Sequence, residues 1–111
     1  MQVWRLSIDI TEQVYYLTQS FPKQEIYGLT SQLQRSAVSI PSNLAEDHPR
    51  DSTKEFLHFI SIALGSLAEL ETQLILAQRF KYLDFVAFSV NYKSRLELKL
   101  AGFEFKYIEM D

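Results

Sequence analysis

An all-α fold, an antiparallel up-down-up-down four-helix bundle with a short C-terminal tail, is predicted by three features of the chain. Turn material is scarce, with three glycines and three prolines in 111 residues, which favours a few long elements over many short strands. Apolar residues recur at steps of three and four, the period of a helix. Four such segments are joined by short connections, and short connections make consecutive helices antiparallel neighbours. Hydrophobic residues are 47% and charged residues 23% of the chain, an ordinary globular balance. A chain this long buries roughly two-thirds of its unfolded surface, enough for one core, so residues 1–111 are expected to form a single domain.

The first helix is predicted over residues 3–20. Val3, Leu6, Ile10, Val14 and Leu17 make its main stripe, continued by Phe21, with Trp4, Ile8 and Tyr15 as a second apolar line. A stripe this wide implies two neighbours. Pro22 ends the helix, because the residue before a proline is pushed out of the helical region. After a short connection at residues 23–26 the second helix is predicted over 27–46, with Leu29, Leu33, Ala37, Ile40 and Leu44 on one face. Pro41 lies inside it. Lacking an N–H, it frees the Ala37 carbonyl and costs roughly 3 kcal/mol if nothing compensates; a bend is expected there, with Ser39 and Ser42 serving the carbonyl. His48-Pro49 closes this segment.

Ser52 and Glu55 form a capping box for a third helix over 52–79. Phe56, Ile60, Ala63, Leu67, Leu70, Leu74 and Ala77 step alternately by four and three, a heptad seam suited to packing at shallow angles. Ser61, Gly65, Ala68 and Thr72 form a second line of small residues that would admit a close backbone, from this molecule or another copy. A turn over 79–83 and Asp84 as cap lead to a fourth helix over 85–101, stopped by Gly102. In the tail, 103–111, Phe103, Phe105 and Tyr107 alternate with polar residues, the pattern of an extended segment. Apolar surface in excess of one shared core is expected to serve a protein interface.

The residues offer little for catalysis. With no cysteine, disulfides, thiolate chemistry and iron–sulfur clusters are excluded. Glu55 and His58 have the Glu-x-x-His spacing of di-metal bundles, but such sites need a second pair, and His48 has Ala45 three positions before it. No metal site or cofactor is expected. Glu69 and Glu71 point about 200° apart on a helix and cannot act on one bond. No glycine-rich phosphate loop or nucleophile elbow occurs, so no enzyme activity is expected. Nothing at the amino terminus resembles a signal peptide, and no apolar run is expected to approach the ~20 residues a membrane span needs; the cytoplasm is the expected compartment. A net charge of −3 disfavours wholesale nucleic-acid binding while leaving room for a local patch, for which Arg35, Arg50 and Lys54 are the candidates.

Phe21-Pro-Lys-Gln-Glu-Ile-Tyr-Gly-Leu-Thr-Ser-Gln-Leu33, Arg35-Ser-Ala-Val-Ser-Ile-Pro-Ser-Asn-Leu-Ala-Glu46, Lys54-Glu-Phe56 and Ile62-Ala-Leu-Gly-Ser-Leu-Ala-Glu-Leu-Glu-Thr-Gln-Leu74 together resemble the bacterial four-helix bundle family. That family is named for proteins encoded in intervening sequences of the 23S ribosomal RNA gene, and is similar to accessory variability proteins of diversity-generating retroelements. The resemblance implies a four-helix protomer in a ring-shaped homopentamer. For the retroelement relatives it also implies binding of RNA or DNA and of a reverse transcriptase through a basic surface. Carried onto this chain, Arg35, Arg50 and Lys54 fall on the implied nucleic-acid surface, and Ser61, Gly65, Ala68, Glu69, Glu71, Thr72 and Pro41 are structural or interface positions. The chain departs from the family in its acidic balance, in Asp47 where glycine is usual after Ala-Glu, and in its aromatic tail. The function expected is that of an oligomeric interaction or scaffold protein, with an RNA- or DNA-binding adaptor as the alternative.

Overall fold

Around a central helix, two others pack on separate sides. The computed structural model describes residues 2–45 and 53–83. Their elements are α1 (Gln2–Thr18), a 3-10 turn (Lys23–Glu25), α2 (Leu29–Asn43) and α3 (Thr53–Arg79), so the described chain is all-α. The predicted helix at 85–101, the tail at 103–111, and Ser52 of the expected capping box lie outside the described residues. α2 packs against both α1 and α3, while α1 and α3 share no close backbone approach. Cross-links between helices give the directions. Gln34 bonds Thr18 and Thr11 bonds Ala37, whereas Ser36 bonds Gln73 and Ser39 bonds Ser66. In each pairing one number rises as the other falls, which makes both pairs antiparallel.

The periodic stripes form the core. All seven members of the α3 seam are buried, as are Leu29, Leu33, Ala37, Ile40 and Leu44 of α2 and Val3, Leu6, Ile10 and Val14 of α1. Leu17 is half-buried and Phe21 completes the α1 stripe beyond the helix end. Each fully buried Leu or Ile contributes roughly 1.5–3 kcal/mol, so the stripes, not the modest helix propensity of a serine-rich α2, hold these elements in place.

Three boundaries differ from expectation, each for a local reason. α1 stops at Thr18 and not at residue 20, where the Thr18 hydroxyl turns back to the Val14 carbonyl at 2.9 Å. α2 begins two residues after Tyr27 because the Glu25 carboxylate caps it, accepting the Leu29 N–H at 3.0 Å. Tyr27 itself is 97% exposed in the turn. At the other end Leu44 closes the helix, its N–H shared between the Ile40 and Pro41 carbonyls, so α2 does not extend to residue 46.

Pro41 remains inside α2, but the expected rescue by Ser39 and Ser42 is corrected. The Thr11 hydroxyl reaches from α1 and donates to the Ala37 carbonyl at 3.1 Å, sharing its proton with the Ser7 carbonyl of its own helix at 2.8 Å. Ser42 donates to the Val38 carbonyl instead, and Ser39 faces Ser66 of α3. The orphan left by the proline thus becomes a bond between helices.

α3 ends in a Schellman arrangement: the Tyr82 N–H reaches the Ala77 carbonyl and the Lys81 N–H the Gln78 carbonyl. Lys81 occupies the left-handed position at φ 65°, where glycine is the usual residue; its cation suits the negative helix end. The reversal delivers Tyr82 to Phe21, 5.4 Å between ring centres, and its hydroxyl to Glu25 at 2.8 Å. Glu25 therefore holds the start of α2 and the end of α3 together. The Leu29 amide, and then the Tyr82 hydroxyl, stabilise its charged form and lower its pKa from the ordinary 4.5. A carboxylate with a depressed folded pKa stabilises above its unfolded value and loses that stabilisation as pH falls through the folded one. Acid titration below about pH 4.5 is expected to destabilise the wild type more than Glu25→Gln, as followed by thermal melts.

Candidate functional site

Two surfaces flank α2. On the α3 side lies an open polar cleft of about 290 Å³, lined by Gln32, Arg35, Ser36, Ser39, Ser66, Glu69 and Gln73. Its floor is a pair of side-chain bonds between the helices, Ser36 to Gln73 at 2.9 Å and Ser39 to Ser66 at 2.7 Å. The Ser36 hydroxyl donates to the Gln73 amide oxygen and the Ser39 and Ser66 hydroxyls bond each other, so the helices pack closely while keeping a polar face. On the α1 side run two adjoining grooves that share Val38. Trp4, Ile8, Thr11, Val38, Pro41 and Ser42 line one; Tyr15, Arg35 and Ser39 help line the other. This face is largely apolar and uncharged apart from Arg35, with Tyr15 44% exposed and Val38 40%.

The structure brings together some of the residues singled out by sequence and separates others. Arg35 is exposed on the ridge of α2 and lines both the polar cleft and a neighbouring groove. Lys54 is exposed in the first turn of α3, about 22 Å along that helix from Glu69 at 1.5 Å per residue. Arg35 faces the Glu69 end of the cleft, so Arg35 and Lys54 do not form one patch. Arg50 lies outside the described residues. Glu69, in contrast, stands in the same cleft as Arg35, a juxtaposition that spacing alone did not reveal. Glu71 is half-buried on another side of α3.

Ser61, Gly65, Ala68 and Thr72 are all exposed, and a methyl group added at Gly65 would meet nothing within 4 Å. Among the described residues no backbone approaches this line. Ile62, Ile75 and Leu76 lie near it on the outward side of α3, each more than a third exposed. Pro41 is buried and contributes to the wall of the apolar groove. Glu55 and His58 lie in the first two turns of α3, and no group of three or more metal-ligating side chains gathers among the described residues. α3 is long and apolar enough, by length and composition, to cross a membrane; a bundle's core helix passes the same test, and here the seam packs against α2. What sequence reasoning missed is Gln73, whose polar type falls beside the core seam and is seen as a cleft residue only once Ser36 is opposite it.

No curated protein matches the chain. The model of one family, described as 23S rRNA-intervening sequence protein, matches residues 1–99. That span takes in α1, α2 and α3, with the polar cleft and the apolar grooves between them. This chain belongs to the 23S rRNA-intervening sequence protein family.

Proposed function

We propose that the protein is a non-enzymatic, self-associating interaction module whose four-helix protomers close into a ring, a pentamer by the family resemblance. The observation that carries this reading is the presence of apolar surface on two different sides of the molecule: the α1/α2 grooves around Trp4, Ile8, Tyr15, Val38 and Pro41, and the outward side of α3 at Ile62, Ile75 and Leu76. A ring needs two unlike patches on every protomer, so that one copy's first patch meets the next copy's second. Aromatic side chains with an arginine are the composition of interface centres. The small side chains beside Ile62 and Ile75 would let a neighbouring helix approach closely. Among the described residues α1 and α3 flank α2 with no close backbone approach to each other; three consecutive helices of a square bundle would be arranged so, and its fourth helix is proposed at residues 85–101. The cytoplasm is the proposed compartment.

Val38→Glu places a carboxylate in the α1/α2 groove at a position too exposed to matter for the core. It is expected to lower native mass and raise the dissociation constant at least tenfold, with helical content unchanged, in sedimentation and circular dichroism. An unchanged mass would remove this face from the interface.

A second reading, an RNA- or DNA-binding adaptor acting with a reverse transcriptase or a ribosomal RNA element, is favoured by one observation: Arg35 stands over a polar cleft with a carboxylate and an amide. Its test is retention of single-stranded RNA at low salt and its loss in Arg35→Ala.

A further inference from the structure

The floor of the α2/α3 cleft leaves its polar atoms unevenly used. Gln73 is 9% exposed, and its Oε1 accepts the Ser36 hydroxyl. Its amide nitrogen, with two N–H donors, has no acceptor among the described residues. Because Gln73 lines the open cleft, these donors are available to a ligand placed there. Glu69 lies one turn away on the same helix and lines the same cleft, about 6 Å from Gln73 at that spacing. Arg35 forms the opposite rim, and no ion pair joins it to Glu69.

The cleft thus offers, side by side, an amide donor and a two-oxygen acceptor. The matching ligand carries a carbonyl oxygen next to two parallel N–H groups. Among the nucleobases only guanine has this edge, with O6 beside N1–H and the N2 amine. Uracil has one N–H between two carbonyls, so its second carbonyl would face the carboxylate. Adenine and cytosine set an acceptor next to their amine. At about 290 Å³ the cleft sits at the lower end of the ~300–1,000 Å³ small-ligand range, the size for one base and not a duplex.

We infer that this cleft binds a single unpaired guanine base of an RNA strand: O6 accepts from the Gln73 amide, N1–H and N2–H donate to the Glu69 carboxylate, and Arg35 donates to the adjoining phosphate. This rests on the nucleic-acid reading above and explains how a chain of net charge −3 could hold RNA, through a base edge with few phosphate contacts. The salt dependence is correspondingly shallow.

The test uses fluorescein-labelled RNA octamers of uridine carrying one central guanosine, adenosine or inosine, titrated with the full-length protein. The guanosine probe is expected to bind about tenfold or more tightly than the adenosine probe, within the range of a bidentate base contact, with inosine, which lacks the N2 amine, in between. Glu69→Gln, at an exposed position, is expected to reduce the guanosine probe to the adenosine level without altering the melting temperature. Equal binding of all probes, or a guanosine preference that survives Glu69→Gln, overturns the guanine assignment while leaving RNA binding standing. No binding of any probe at low salt overturns both.

Discussion

Replacing Leu33 with alanine is expected to lower unfolding free energy by about 3 kcal/mol, within the ~2–5 kcal/mol typical of buried leucine truncations. Leu33 is 0% exposed at the middle of α2, which among the described helices is the one in contact with both others. A cavity there loses contacts toward both neighbours, and a helix already holding a proline has little freedom to collapse around it. Chemical denaturation checks the figure. A loss under ~1 kcal/mol would mean that α2 is not the element around which α1 and α3 are assembled.

The second large effect concerns the carbonyl that Pro41 leaves unpaired. Thr11→Val keeps the shape of the side chain and removes its hydroxyl, so the Ala37 carbonyl loses the 3.1 Å bond from α1. The expected cost is about 1–3 kcal/mol, that of a partly buried acceptor left unsatisfied. Pro41→Ala restores an N–H at position 41 and with it the ordinary bond to Ala37. In that background Thr11→Val should cost well under 1 kcal/mol. The difference between the two backgrounds, measured as a double-mutant cycle, isolates the coupling between threonine and proline. Equal costs in both would show that Thr11 acts only through Ser7 in its own helix.

How much of this could be read from the residues follows from the range over which each signal acts. The seven seam positions of α3 and the five of α2 are all buried, because helical periodicity sorts side chains by face whatever the partner is. The Pro22 rule reaches only the residue before it and does not set the end of α1, which comes earlier, at Thr18. The Thr11 bond to Ala37 spans 26 residues and Tyr82 to Glu25 spans 57; neither is encoded in a local pattern, since each needs the helix register first. The Glu25 cap, and with it the start of α2 at Leu29, is equally hard to read locally, because the carboxylate sits four residues ahead of the amide it serves. The end of α3 at Arg79 falls where the sequence places it, although Lys81 and not a glycine takes the left-handed position that follows.

The surfaces show the same division. Composition correctly places Arg35 and Glu69 outside the core, but only the antiparallel register of α2 and α3 sets them in one cleft, and it is that register which leaves Lys54 far along α3. The small-residue line of Ser61, Gly65, Ala68 and Thr72 reads as a contact stripe from spacing, yet no described backbone covers it. Under the proposed ring it is the neighbouring protomer that would do so.

Native mass tests that ring most directly, by sedimentation at micromolar concentration and low salt on protein purified without nuclease, before and after nuclease treatment. The account predicts a nuclease-resistant species at five times 13.0 kDa, about 65 kDa for a closed pentamer. A bare 13.0 kDa monomer would contradict it.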